Sequence, residues 1–173
     1  MKNLKAQIFL EKANGSDMGR WYSLPMNEKE LNELLYNNGL IISDYDIECN
    51  FASYEVTKEY IRDFNTVLNS KDERLLTLFM WADKDLNSAK EAFEDIDNPC
   101  FLYLEGIEDG NDYDLYVQIG RKIADLGLLG YVPANLIEKD YIDFESIGRD
   151  YWEGGASHYE PSTKAVFIQT SSR

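Results

Sequence analysis

At 173 residues, with 44% hydrophobic and 13% aromatic residues, the chain can bury a core and is too apolar for an acidic disordered tail. Its 32 Asp+Glu against 17 Lys+Arg leave a net charge of −15, a field that repels nucleic acid and anionic membranes and attracts proteins that bind them. Met1–Lys5 leads into no apolar leader and no apolar run reaches the ~18 residues of a bilayer span, so a cytoplasmic protein with no membrane partner is expected, its Cys49 and Cys100 being reduced core thiols.

Residues 5–11 alternate as a strand, Ala13–Asp17 supplies turn chemistry, and Gly19–Leu24 reads as the return strand of a hairpin ended by Pro25. Asn27 caps a helix with Glu30 at the capping-box position, Leu31, Leu34 and Leu35 form its buried stripe, and Gly39 ends it. Ile41–Ile42 and Tyr45–Phe51 read as further strand. From Ser53 the period becomes helical: Val56, Tyr60, Phe64 and Val67 share a face behind a Ser53 cap. Asp72 caps a second helix and Ser88 with Glu91 a third.

Beyond Pro99, Cys100–Leu104 is strand-like, Glu108–Asp112 forms an acidic turn, and a helix runs from about Tyr113 to Leu126, with Gly127 at its left-handed end. Leu136, Ile137, Tyr141, Ile142 and Phe144 predict two short helices, and Ala165–Gln169 a closing strand. No internal repeat is evident. The expected fold class is α+β, an elongated chain of three small modules. These are an α+β module over 1–52, a helical module over 53–97 and an α+β module over 98–173, bounded by the changes of period.

Catalytic chemistry finds little footing. His158, the single histidine, lies in the Gly-rich polar run Gly154–His158 and reads as a surface-loop residue; two Cys and one His fall one short of a structural zinc set. Asp109–Asp114 starts like a calcium loop, but Gly110 falls at position two, and position twelve is Gly120 where a bidentate Glu is needed. Gly127–Gly130 lacks the Lys-Ser/Thr of a phosphate loop. No catalytic residue, metal or cofactor is therefore expected, although paired carboxylates of a hydrolase stay open as an alternative among so many acids.

The carboxylates themselves are patterned. Glu91 to Gly120 holds nine (Glu91, Glu94, Asp95, Asp97, Glu105, Glu108, Asp109, Asp112 and Asp114) and no Lys or Arg. Glu55, Glu59 and Asp63 make a helical row, Glu91, Glu94 and Asp95 another, and Asp140, Asp143 and Glu145 a third cluster followed by Asp150. Each row alone is ordinarily a solvated helix face; rows along three successive modules point to a surface imitating a polyanion. At one charge per ~1.7 Å of duplex, the net charge of two chains matches roughly 50 Å of DNA. The alternative within the binding class is an acidic inhibitor of another DNA-binding machine, such as a CRISPR effector or a nucleoid protein.

Gly19-Arg20-Trp21-Tyr22-Ser23-Leu24-Pro25 with the helix after it resembles the N-terminal signature of the ArdA antirestriction proteins. Leu126-Gly127-Leu128-Leu129-Gly130-Tyr131-Val132-Pro133, then Leu136 and Tyr141–Asp150, resembles that family's antirestriction segment. Where family members often carry an Asp-Tyr-Glu-like triplet after the last strand of the first module, this chain has Cys49-Asn50-Phe51. The resemblance implies a non-enzymatic DNA mimic carried by mobile elements or phage. It implies a homodimer joined through the C-terminal module that occupies the DNA groove of type I restriction–modification enzymes, without binding nucleic acid itself. By the same resemblance Gly130, Val132, Pro133, Tyr141, Gly148 and Arg149 would shape the C-terminal module and its dimer contact. The residue-level account of those six is ordinary turn and core packing, with Arg149 an ion-pair partner.

Overall fold

The computed structural model describes residues 4–14, 18–49, 56–130, 133, 136 and 141–170. The chain divides into two compact units, Met1–Phe93 and Glu94–Arg173. Each contains one three-stranded antiparallel sheet with helices, so the fold class is α+β.

In the first unit, strands β1 (Ala6–Lys12), β2 (Arg20–Ser23) and β3 (Leu40–Ile47) lie in the order β2-β1-β3. The alternation of β1 sends Ala6, Ile8 and Leu10 into the core and Gln7, Phe9 and Glu11 to the other face. Phe9 opposes Asp44 while Leu10 opposes Ile42, so one extra residue, Ser43, is bulged and joins the two expected strand pieces into one.

Helix α1 (Glu28–Asn32) begins where Asn27 Oδ1 accepts the Lys29 and Glu30 N–H groups, and a π-helical turn (Glu33–Asn37) continues it. Leu31 and Leu35 from this segment are buried, and Gly39 (φ +64°) supplies the left-handed residue that turns the chain into β3. Helix α2 (Lys58–Ser70) is capped by Thr57; the expected cap, Ser53, lies outside the described residues. Asp72 caps α3 (Glu73–Trp81) as expected. At α4 (Leu86–Glu94) it is the Asp85 carboxylate that accepts the Ser88 N–H at 2.7 Å, leaving Ser88 inside the helix rather than at its cap. Ile61, Phe64, Val67, Leu76 and Phe79 close this core, with the Phe64 and Phe79 rings stacked at 6.3 Å.

The fully buried Asn65 ties α2 to the chain after Pro25. Its Oδ1 accepts the Met26 N–H at 2.8 Å and its Nδ2 donates to the Met26 carbonyl at 3.1 Å. The N–H and the carbonyl of half-buried Met26 are thereby both satisfied by one amide side chain.

In the second unit, β4 (Phe101–Glu105), β5 (Gly155–Glu160) and β6 (Ala165–Thr170) lie in the order β4-β6-β5, with helices α5 (Asp112–Asp125) and α6 (Phe144–Glu153). Leu104, Ile107, Ile119, Ile123, Val166 and Ile168 form the core, with Ile147, Tyr151 and Trp152 of α6 packed against it. Two expectations are corrected. Phe144 opens a ten-residue helix rather than ending a short one, and Gly154–His158 is not a loop, for β5 begins at Gly155. Pairing with the apolar β6 overrides the weak strand propensity of that glycine-containing segment.

Helices α5 and α6 meet backbone to backbone. A Cβ on Gly148 would stand 1.8 Å from the Tyr116 carbonyl oxygen, and one on Gly120 would stand 2.0 Å from that of Phe144. Each glycine therefore abuts the residue four positions before the other, a reciprocal crossing. The following residues repeat the reciprocity: the Arg121 guanidinium lies 5.0 Å from the centre of the Phe144 ring and that of Arg149 5.8 Å from Tyr116. The same tripeptide, Ile-Gly-Arg, thus stands at the crossing on both helices, at 119–121 and 147–149.

Candidate partner-binding surface

The helical rows of α2 and α4 differ in electrostatics. On α2, Glu59 is exposed and accepts the Tyr36 hydroxyl at 3.4 Å, while half-buried Asp63 is paired with Arg62 at 2.9 Å. Burial first, then the Glu59 charge, holds the Tyr36 hydroxyl pKa above its ordinary value. Glu55, third member of that row, lies outside the described residues. The α2 row is therefore interrupted by a cation. By contrast Glu91 and Glu94 on α4 and Asp95 and Asp97 just after it are all exposed, and none has an ion-pair partner among the described residues.

The acidic turn between β4 and α5 is held from three sides. Gln118 accepts the Glu108 N–H at 2.7 Å and donates to its carbonyl at 3.0 Å. The Tyr159 hydroxyl lies 3.2 Å from the Ile107 carbonyl and 2.9 Å from Asp109 Oδ1. Lys164 pairs with Glu108 at 2.6 Å. Burial and the Asp109 hydrogen bond push the Tyr159 hydroxyl pKa well up, so it stays a donor to that carboxylate.

Asn111 caps α5 through the Asp114 N–H at 3.0 Å, and Asp112 and Asp114 occupy its first turn, where the helix dipole favours negative charge. Glu105, Asp112 and Asp114 are exposed and unpaired among the described residues.

On α6, Asp143 is the cap. The Ser146 N–H and hydroxyl both bond it, at 3.0 and 2.8 Å, and hold its carboxyl below the usual range. Glu145 is half-buried and paired with Arg149, while Asp150 is exposed. Asp140 and Val132 lie outside the described residues. Gly130 takes φ +76° in a turn closed by its N–H to the Gly127 carbonyl at 3.0 Å, and the Pro133 carbonyl accepts the Leu136 N–H at 2.9 Å. Tyr141 is 74% exposed. With Tyr113, Arg121, Asp143 and Glu145 it lines one shallow open cleft, which brings together three of the residues singled out in the sequence.

Sequence reasoning overlooked the face of the first sheet turned away from the core. Paired positions place Trp21, Phe9 and Asp44 in one row across it and Ser23, Gln7 and Asp46 in the next. The signal available was alternation: Asp44, Asp46 and Glu48 recur every second residue along β3, a period that charge rows sought at helical spacing do not register. Among the described residues no three His, Cys, Asp or Glu side chains gather as a metal site. No helix is long and apolar enough to cross a membrane, among those same residues. Neither Cys49, which is buried, nor Cys100, which is half-buried, is in a disulfide.

Fold and surface together define a small acidic α+β protein whose carboxylates are spread over exposed helices and turns. The model of the family described as "Antirestriction protein (ArdA)" matches residues 13–161, and the chain belongs to that family of antirestriction proteins. No curated protein and no solved structure matches it.

Proposed function

We propose that this antirestriction protein is a DNA mimic that competes with DNA for the binding groove of a type I restriction–modification enzyme and carries out no catalysis of its own. The observation that carries the reading is the run from Glu91 to Asp114. Seven of its carboxylates (Glu91, Glu94, Asp95, Asp97, Glu105, Asp112 and Asp114) are exposed and unpaired among the described residues, with no Lys or Arg in the interval. Carboxylates on helices and a pinned turn present acceptors at fixed positions, and Lys and Arg of a DNA groove engage such acceptors through charge-assisted hydrogen bonds as they engage phosphates. Their mutual repulsion is relieved only when a basic partner arrives. A homodimer joined through the C-terminal unit would double the number of these carboxylates.

The test is to titrate the protein against DNA binding by a type I restriction–modification enzyme at about 50 and 200 mM salt. Competitive inhibition that weakens ~10-fold or more over that range supports mimicry. Single Asp or Glu reversals within 91–114 should each weaken it only a few-fold, because many contacts share the load. Absence of inhibition in both salts refutes the reading.

A further inference from the structure

The outer face of the β2-β1-β3 sheet combines what an acidic surface alone lacks: an aromatic and aliphatic centre. Trp21 is 46% exposed and Ile41 39%, and the Trp21 and Phe9 rings meet at 5.3 Å, tilted by 60°. Beside them on β3 stand Asp44 and Asp46, both exposed, with Glu48 just past the strand end bonded to Lys5 N at 2.9 Å. Those two rows contain no basic residue, and Lys5, just before β1, is paired with Asp46.

The Asp44 carboxylate takes the Tyr45 N–H at 2.8 Å, so one of the groups an added strand would use on β3 is already engaged. The face rather than the strand edge is what a partner meets.

We propose that this face is an anchor for an arginine-bearing protein surface. The row Trp21–Phe9–Asp44 spans two strand spacings, about 10 Å, which is room for two guanidinium groups. One lies flat on the exposed indole, the aromatic ring that attracts cations best. The other pairs with the Asp44 oxygen left over from the Tyr45 bond, and the aliphatic stems of both cover Phe9 and Ile41. Lysine satisfies the charge but not the planar stacking, so the face discriminates between the two cations. The inference rests on the proposed function for its expectation of a basic partner, and it adds a hot spot to an otherwise distributed surface.

The experiment is a ¹⁵N-correlation NMR titration of the full chain with nona-arginine and, separately, nona-lysine. The expected result is that the Trp21 indole and the Phe9 and Asp44 amides shift with nona-arginine at ~10-fold lower concentration than with nona-lysine. Trp21→Ala should abolish that preference while Trp21→Tyr retains most of it, the spectrum itself reporting that each variant is folded. Equal responses to both peptides, or shifts confined to 91–114 with the Trp21 indole unmoved, overturn the proposal. If the arginine preference stands while the restriction enzyme is not inhibited, it is the choice of target that fails; the reverse pair of results sinks the anchor alone.

Discussion

Adding one methyl group at Gly148 should separate the two helices of the second unit. The new Cβ would stand 1.8 Å from the Tyr116 carbonyl oxygen and 2.6 Å from its carbon, both backbone atoms that no rotamer change can withdraw. Ordinary contact needs more than 3.4 Å, so α6 has to move away from α5 by well over an ångström. Overpacking of this kind costs about 3 kcal/mol, near the top of the usual range. Alanine returns up to ~1 kcal/mol through helix propensity. The net expectation for Gly148→Ala is a loss of about 2 kcal/mol, or roughly 4–8 °C in Tm for a chain of this size.

Gly120→Ala should cost a similar amount, since its Cβ would stand 2.0 Å from the Phe144 oxygen. The double variant should cost clearly less than the sum, because one displacement of the helices relieves both clashes. Urea denaturation followed by Trp152 fluorescence reads this unit, its ring lying 6.5 Å from that of Tyr116 on α5. Unchanged or raised stability in Gly148→Ala would refute the crossing, since propensity alone predicts a gain.

Three further outcomes follow from the hydrogen bonds. Asn65→Ala removes the partner of the Met26 N–H, in a half-buried segment, while Asn69 still reaches its carbonyl at 3.2 Å, so a loss of about 1–2 kcal/mol is expected in thermal or urea denaturation. Asn111→Ala removes the α5 cap and should cost about 1 kcal/mol, with amide exchange in the first turn of α5 accelerating before the rest of the helix. The Asp143 carboxyl is held low by its Ser146 hydrogen bonds and that of Asp72 by Arg74, so both contribute stability that is present above the unfolded carboxylate pKa and lost as pH falls through the lower folded values. Denaturation midpoints measured from pH 6 down to pH 2 should therefore decline less in Asp72→Asn/Asp143→Asn than in the parent chain.

Much of the fold was legible because local signals and packing agree. The alternation of β1, the Asn27 and Asp72 caps, Gly39 and Gly127 at positive φ and the apolar run 165–169 all stand where periodicity and turn chemistry put them. The failures share a cause. Phe144 read as the end of a short helix and Gly154-Gly155 as a loop, yet Phe144 opens a helix whose Gly148 is the close-approach point of a crossing, and Gly155 opens a strand pairing with β6. In both cases the glycine answers a long-range contact that no local window contains. The acidic residues were visible as a composition but not as a surface. Arg149 was legible as an ion-pair partner, with Glu145 four residues before it, but sequence spacing cannot tell that Asp63 is neutralised by Arg62 whereas Glu91 and Asp112 are left bare.

That distinction bears on how a surface so acidic can be read at all. Asp63, Asp72, Glu108, Asp143 and Glu145 each meet a cation or cap a helix. Their presence is explained by the stability of this chain, and a partner would have to compete for them. The bare carboxylates of 91–114 have a thinner internal justification. Asp112 and Asp114 gain from the α5 dipole, but Glu91, Glu94, Asp95, Asp97 and Glu105 repel their neighbours and satisfy no described group. Charge that weakens the folded state without serving it is what an external basic partner would account for. Neutralising these five should therefore raise stability while lowering inhibition, whereas neutralising the five engaged acids should lower stability first. Opposite signs of the two effects separate a mimic surface from a merely soluble one.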